Sequence, residues 1–351
     1  MSPATASIED CRNFLNQARV PDLPEVYLLG CLERRVTVYS QQVRALNLIY
    51  ALEQCAGLQS GARIGIVGAG IAGLTAAAAA LQRGFAVTLL EEKPSTVLLW
   101  RQADCDKRWL HPHVYDWPQQ DSLQDDAKLP VMTWTAGTAR RVVGLLTEQW
   151  QALVKSCQPG RLELNTGVTD VTVINRDGKP QLQWGPGQKR KDCAAVILAV
   201  GFGEEQTVAP LESLSYWDDE RLGSPGTFAA SKRCLISGSG DGGLTDVLRA
   251  SIAGFQHDTF IKELGLAQST NPATQKLVEL VKQIEASVQS CALDAAGEAQ
   301  AARLLTERYL SEEMSQCAAF IDENLKTRPT ERIVTLNHTG VDVLTLSLIH
   351  I

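Results

Sequence analysis

The six residues from Gly68 to Gly73 constrain the fold of this chain more than any other feature. They read Gly-Ala-Gly-Ile-Ala-Gly and lie between a β-branched run, Arg63–Val67, and an alanine-rich run, Leu74–Arg83. The three glycines allow a tight turn, let the backbone approach a pyrophosphate, and let a helix pack closely on a strand. Free N–H groups at the start of the following helix favour a negatively charged group. The pattern therefore predicts a strand–turn–helix unit that binds a dinucleotide.

A second apolar run, Ala86–Leu90, follows Gly84 and ends at an acidic residue. Glu91 lies 23 positions after Gly68, close to the spacing of about 20 expected of an acid that hydrogen-bonds a ribose hydroxyl. Short strand–helix–strand connections imply a right-handed crossover and a parallel sheet. The alternative to a dinucleotide site is a purely structural glycine-rich turn with Glu91 exposed to solvent. The predicted cofactor contacts of this unit are Gly68, Ala69, Gly70, Ile71, Ala72, Gly73, Glu91 and Glu92.

The stretch from Gly68 through Gly84 to Glu91 resembles the FAD-binding fingerprint of flavoproteins with two dinucleotide-binding domains. That class includes pyridine-nucleotide reductases and flavin-containing monooxygenases. Residues 192–201 are similar to the strand and turn that close on the flavin in this class, which implies a flavin contact at Gly201. The resemblance implies FAD as the cofactor of the first unit.

A second glycine turn begins 170 residues after the first, where the same class places its NAD(P)H-binding unit. The resemblance implies nucleotide contacts at Gly238, Gly240 and Gly243, and NAD(P)H as a candidate hydride donor. A purely structural glycine turn is the alternative, because the chain after the second helix shows no strand ending in an acid or arginine. The FxGxxxH signature, a CxxC pair and a C-terminal Gly-Asp motif are also missing, so no subfamily is identified.

The segment Arg108–Pro118 combines two histidines with aromatic and charged residues. Histidine titrates near neutral pH, so His111 and His113 are candidate proton-transfer groups, with Asp116 to orient them. Arg108 could offset an anionic flavin. The alternative is a rigid, proline-pinned loop whose histidines are satisfied hydrogen-bonding groups. No third ligand accompanies the two histidines at a fixed spacing, so no metal site is predicted.

Composition excludes other classes of function. The net charge of −7 and an aromatic content of 6% disfavour nucleic acid as a partner. No apolar run reaches the ~20 residues needed to cross a bilayer, and the N-terminus lacks a signal-peptide pattern, so no membrane partner is predicted. Nine scattered cysteines without a CxxC pair are typical of buried thiols in a reducing compartment. These features predict a cytoplasmic protein.

These observations predict an α/β protein with a Rossmann-like FAD/NAD(P)-binding fold, a parallel central sheet, a second βα unit with a helical insertion, and an N-terminal helical extension. The predicted regions are a helical extension at 1–60, an FAD-binding domain at 61–232, a second dinucleotide-binding-like unit at 233–330, a return strand to the FAD domain at 331–345, and a tail at 346–351. The tail resembles a translated sequencing adapter, in which case we expect the natural protein to be longer; the alternative is an ordinary strand ending, Val343 to Ile351.

The predicted function is that of an FAD-dependent oxidoreductase acting on a small-molecule substrate. FAD would carry the redox chemistry, with NAD(P)H or the substrate itself as the donor. The alternative is a non-catalytic flavin- or dinucleotide-binding sensor or interaction module, in which helices between residues 251 and 330 form the docking surface.

Overall fold

The computed structural model describes residues 7–30, 36–94, 108–114, 121–201, 233–237, 241–252, 255, 272–289, 291, 295–317 and 333–337. The chain divides into two compact units. Unit 1 comprises Met1–Asp106 and Asp126–Ser213, and unit 2 comprises Lys107–Asp125 and Leu214–Ile351. The segment 107–125 therefore belongs to unit 2, although the chain on both sides of it belongs to unit 1. The predicted adapter-like tail lies outside the described residues.

The helices of the described chain are α1 (Ile8–Ala18), α2 (Val38–Cys55), α3 (Ile71–Gln82), α4 (Ala139–Ser156), α5 (Asp241–Ser251), α6 (Pro272–Gln289) and α7 (Ala295–Tyr309). The strands are β1 (Val26–Leu28), β2 (Arg63–Val67), β3 (Ala86–Leu90), β4 (Trp109–Leu110), β5 (Gly137–Thr138), β6 (Leu162–Asn165), β7 (Thr172–Arg176), β8 (Lys179–Trp184), β9 (Lys189–Asp192), β10 (Ala195–Leu198), β11 (Arg233–Ser237) and β12 (Ile333–Asn337).

A five-stranded parallel sheet forms the centre of unit 1. Its strand order is β1-β10-β2-β3-β6, and every neighbouring pair is parallel. Ile64 and Ile66 of β2 are completely buried, and every residue of β3 is buried. Such continuous apolar runs are typical of parallel strands covered on both faces. The sheet confirms the predicted α/β class and the Rossmann-like order of strand, helix and strand.

The N-terminal region contributes a strand to this sheet, so residues 1–60 are more than a helical extension. Strand β1 pairs in parallel with β10, with Val26 opposite Val196 and Leu28 opposite Leu198. Tyr27 is completely buried. Sequence patterns miss β1 because three residues are too few to show the alternation that identifies a strand. This strand occupies the edge of the sheet beside β10.

A three-stranded antiparallel sheet, β7-β8-β9, packs against the parallel sheet. A two-residue hairpin turn joins β7 to β8: Asp177 and Gly178 both have positive φ, at 54° and 81°, as such a turn requires. Leu182 and Trp184 of β8 are buried with Cys193 and Val196. The hairpin thus covers part of the core next to β10.

Unit 2 contains a parallel strand pair separated in sequence by helices. Strand β12 pairs with β11, with Ile333 opposite Arg233 and Asn337 opposite Ser237. The prediction that residues 331–345 return to the FAD-binding sheet is therefore wrong for the described part, Ile333–Asn337. A parallel partner needs a long crossover, and the helices between β11 and β12 provide one for this pair.

Helices α6 and α7 of unit 2 bury an apolar cluster. On α6, Leu277, Val281 and Ile284 are buried, and Leu280 packs against them. The facing side chains on α7 are Ala301 and Leu305. Within the described part of the chain, none of the helices combines the length and the apolar character that a membrane crossing requires.

Candidate dinucleotide-binding site

The first glycine turn begins where β2 ends, between β2 and β10. Gly68 has a φ of +99°, and its N–H donates to the carbonyl oxygen of Leu90 at 2.7 Å. A Cβ atom at Gly68 would overlap with the carbonyl oxygen of Ala199, which directly follows β10. The strand order changes direction between β2 and β10, and ligands of open α/β sheets bind at such a switch point, beyond the carboxyl ends of the strands.

The last glycine of the turn allows a close contact within the turn itself. A Cβ atom at Gly73 would overlap with the carbonyl oxygen of Gly68 and would lie 3.3 Å from the Cβ atom of Ala199. The prediction assigned this glycine to close helix–strand packing. The structure shows that the nearest atoms belong to the turn and to the end of β10.

The middle glycine leaves space in front of helix α3. Gly70 is the N-cap residue of α3, with a φ of −70° and a ψ of −175°. A Cβ atom added there would meet nothing within 4 Å. No side chain caps α3 and no acidic residue lies in its first turn. The backbone N–H groups at this end are therefore accessible to an anion.

The other helices of unit 1 with described N-caps are closed by side chains. Ser7 accepts a hydrogen bond from the N–H of Asp10, Thr37 accepts one from that of Ser40, and Thr138 accepts one from that of Arg141. These hydroxyls satisfy donors that α3 leaves without a side-chain cap. Within the described part of unit 1, α3 thus presents the N-terminus best suited to a phosphate group.

Glu91 lies against the glycine turn. Its side chain is buried, with 4% relative exposure. Oε2 accepts a hydrogen bond from the N–H of Ala69 at 2.7 Å, and Oε1 accepts one from the N–H of Lys93 at 2.8 Å. The alternative of a solvated Glu91 is therefore wrong, whereas Glu92 is exposed. A carboxylate has about four lone-pair positions, so Glu91 keeps capacity for a further donor such as a ribose hydroxyl.

The carboxyl edge of the sheet extends beyond β10 to β1. Gly201 has a φ of +74°, and its Cα would lie 3.8 Å from a Cβ atom placed on Gly30, which follows β1. Val200, beside Gly201, is 57% exposed. Sequence reasoning missed Gly30 and Val200. The available signal was an apolar run ending in glycine, Val26 to Gly30, which matches the start of the first unit.

A dinucleotide diphosphate fits this arrangement. The space at Gly70 is open, the start of α3 lacks a side-chain cap, and the adjacent carboxylate of Glu91 is held in place by the N–H of Ala69. An anion at a helix N-terminus beside backbone N–H groups is stabilised by both hydrogen bonds and the helix dipole. The residues present therefore match the binding mode predicted from the sequence.

Arg108 lies in unit 2, where it forms an ion pair with α5. Its Nη1 atom is 2.9 Å from Oδ1 of Asp246, and Nη1 of Arg249 is 3.3 Å from the same oxygen. Both arginine side chains are at least 90% buried. Asp246 was not predicted, because it lies 138 residues from Arg108 and no local pattern connects them.

His111 acts as a hydrogen-bond acceptor for its own turn. Its Nδ1 atom accepts from the N–H groups of His113 at 3.1 Å and Val114 at 2.9 Å. The proton of the neutral ring is therefore on Nε2, which lies 3.4 Å from Oδ1 of Asp125. This geometry agrees with the alternative of a satisfied histidine in a rigid loop. Asp116 lies outside the described residues, so its predicted role stays a prediction.

The second glycine turn is only partly described. Gly238 and Gly240 lie outside the described residues, and Gly243 lies within α5. The predicted nucleotide contacts there stay predictions. Among the residues that the structure describes, no group of three His, Cys, Asp or Glu side chains is arranged to hold a metal ion.

A family comparison supports the first unit. Residues 66–118 match the sequence model of the NAD(P)-binding Rossmann-like domain. The match contains Gly68 to Gly73 and Glu91, and it confirms the Rossmann-like prediction for this segment. Comparison with curated protein sequences finds no match.

Several solved structures of flavin enzymes align with part of the chain. The HOCl-induced flavoprotein disulfide reductase RclA from Escherichia coli is 14% identical, with 52% of this chain and 28% of that chain covered and a TM-score of 0.25. A ferredoxin reductase from Rhodopseudomonas palustris is 14% identical (40% and 24% covered, TM-score 0.24). CtdE in complex with FAD is 19% identical (39% and 38% covered, TM-score 0.25). This chain thus spans well under half the length of these proteins, and alignments with such TM-scores support no inference about activity.

The glycine geometry predicts that alanine destabilises the protein at Gly73 but not at Gly70. Gly73→Ala places a methyl group against the carbonyl oxygen of Gly68, and we expect it to lower the free energy of unfolding by about 3 kcal/mol. Gly70→Ala adds a methyl group in open space at an ordinary φ, and we expect a change within about 0.5 kcal/mol. Urea unfolding followed by circular dichroism measures both. Equal stability of the two variants would contradict the turn described here.

Proposed function

We propose that unit 1 binds FAD and that the chain belongs to an FAD-dependent oxidoreductase acting on a small-molecule substrate. The observation that carries this proposal is the open, uncapped start of α3 at Gly70 beside the buried carboxylate of Glu91. The family match at residues 66–118 supports a dinucleotide at the same place. The choice of FAD over a nicotinamide cofactor rests on the sequence resemblance.

Each residue of the site has a distinct task in this proposal. The backbone N–H groups of Gly70, Ile71 and Ala72 hold the diphosphate. Glu91 holds the ribose through lone pairs that Ala69 and Lys93 leave unused. When bound, FAD supplies the hydride- and electron-transfer chemistry that protein side chains lack.

Proton transfer is assigned in this proposal to His111, His113 and Asp116. Nδ1 of His111 accepts from two backbone N–H groups, so a proton exchanged by this ring would be the one on Nε2. NAD(P)H is the proposed hydride donor, bound by the glycine turn that precedes α5. The ion pair with Asp246 holds Arg108, which begins the segment that contains both histidines, against α5.

Gly70→Val tests the cofactor site directly. The valine side chain would occupy the space in front of α3, so we expect at least a tenfold loss of bound flavin, with the thermal stability of the flavin-free protein unchanged. The flavin-to-protein absorbance ratio of the purified protein measures the loss. Gly144→Val is the matched control, because Gly144 is exposed on α4 with nothing within 4 Å of an added Cβ atom. Full flavin content in Gly70→Val would refute the site.

Two substitutions of Glu91 distinguish the contribution of its negative charge to flavin binding from that of the hydrogen bond it accepts. Glu91→Ala removes the acceptor of the Ala69 N–H, and we expect weaker flavin retention, with a milder loss than in Gly70→Val. Glu91→Gln keeps an acceptor and should retain an intermediate amount. Glu92→Ala compares the second predicted acid, which is exposed, and should retain more flavin than Glu91→Ala. The dissociation constant of FAD measures the effect of each substitution. If Glu92→Ala weakens FAD binding more than Glu91→Ala does, the ribose contact must be assigned to Glu92.

Reduction of the bound flavin distinguishes an enzyme from a binding module. We expect the purified protein to be yellow and to lose its visible flavin absorbance when NADH or NADPH is added without oxygen. Colour that no donor bleaches would instead favour the sensor or interaction module. A colourless protein that added FAD does not reconstitute would contradict both functions.

A further inference from the structure

Two cysteines that the proposed function does not use lie side by side in unit 1. Cys11 is on α1 and Cys55 is the last residue of α2, and these two helices pack against each other. The Sγ atom of Cys55 is 3.5 Å from the carbonyl oxygen of Ile8, in the first turn of α1. Cys11 follows Ile8 by three residues and therefore lies on the same side of α1, so the two cysteines are neighbours. Both cysteines are free thiols.

The two thiols differ in their access to solvent. Cys11 is buried, with 4% relative exposure, whereas Cys55 is half-buried. Burial is the main reason that the pKa of Cys11 is raised above its ordinary value, and the neighbouring Cys55 thiol raises it further. Cys11 therefore stays protonated at neutral pH, and a soluble oxidant reaches the pair through Cys55.

We propose that Cys11 and Cys55 are a redox site that forms a reversible disulfide between α1 and α2 on exposure to a hydroperoxide. The Cys55 thiolate attacks the peroxide O–O bond, which gives a sulfenic acid at Cys55 and, from hydrogen peroxide, releases hydroxide. The Cys11 sulfur then attacks the Cys55 sulfur, so that an S–S bond forms and the S–O bond of the sulfenic acid breaks; the Cys11 thiol gives its proton to the departing hydroxyl, which leaves as water. Two thiols lose two electrons and two protons in total, and one hydrogen peroxide is reduced to two waters.

The disulfide would close a loop that contains β1. Residues 11 and 55 enclose β1, the edge strand beside β10, and the whole of α2 up to its last residue. Cross-linking restricts the unfolded chain most strongly when the closed loop is long. Oxidation is therefore expected to raise the melting temperature by several degrees and to protect the backbone amides of β1 from hydrogen exchange.

The proposed redox site is separate from the candidate dinucleotide-binding site. Cys55 ends an 18-residue helix, which is about 27 Å long at 1.5 Å per residue. The start of α2, not its end, follows the carboxyl end of β1 near Gly30. Formation of the disulfide can thus be measured without flavin, and its outcome does not depend on the proposed function.

Peptide mapping of the full chain tests the proposal. We expect hydrogen peroxide to reduce the thiol count by two of the nine cysteines and to give a linked peptide containing Cys11 and Cys55, which dithiothreitol separates. Cys55→Ser should abolish both the linked peptide and the rise in melting temperature. Cys157→Ser is the matched control, since Cys157 is a half-buried free thiol at the end of α4, and it should leave both unchanged.

Two results would overturn the proposal. One is oxidation of Cys55 to its sulfenic or sulfinic acid with no link to Cys11. The other is a disulfide that joins either residue to a different cysteine in the wild-type chain. Because Cys55 is only half-buried, its serine variant keeps the experiment informative even if substitutions at the buried Cys11 prevent folding.

Discussion

The close contact among three backbone segments at the first glycine turn determines how unit 1 is arranged. Gly68 lies against the carbonyl group of Ala199, and the carbonyl group of Gly68 in turn lies where a side chain at Gly73 would be. These contacts bring the end of β2, the end of β10 and the first turn of α3 into one small region. A side chain at either glycine would separate them. This arrangement is possible because these positions carry no Cβ atom.

A strand near the N-terminus, β1, forms the edge of the parallel sheet beside β10. Strand β1, with Gly30 after it, repeats beside β10 the strand–turn–helix order of β2, the glycine turn and α3. The two helices that follow differ at their N-termini. Thr37 and Ser40 cap α2 reciprocally, whereas Gly70 leaves α3 without a side-chain cap. The N-terminus of α2 is therefore closed to an anion, whereas that of α3 is open to one.

Features with a local cause could be predicted from the sequence. The glycine turn, the acid at Glu91 and the positive φ values of Asp177 and Gly178 each follow from a few adjacent residues. Features that depend on contacts between residues far apart in the sequence could not be predicted. The Arg108–Asp246 ion pair joins residues 138 positions apart, and the pairing of β12 with β11 depends on a crossover of about a hundred residues. Periodicity and motif spacing carry no signal for such contacts.

Glu91 has a structural task as well as its proposed ligand contact. Its carboxylate accepts the N–H of Ala69 inside the turn and the N–H of Lys93 just beyond β3. It therefore links the glycine turn to the end of the neighbouring strand. Because the carboxylate is buried, losing it would leave the Ala69 donor without its acceptor. A residue at this position that kept an acceptor would preserve the turn, and only the contact to the ribose would then depend on the negative charge.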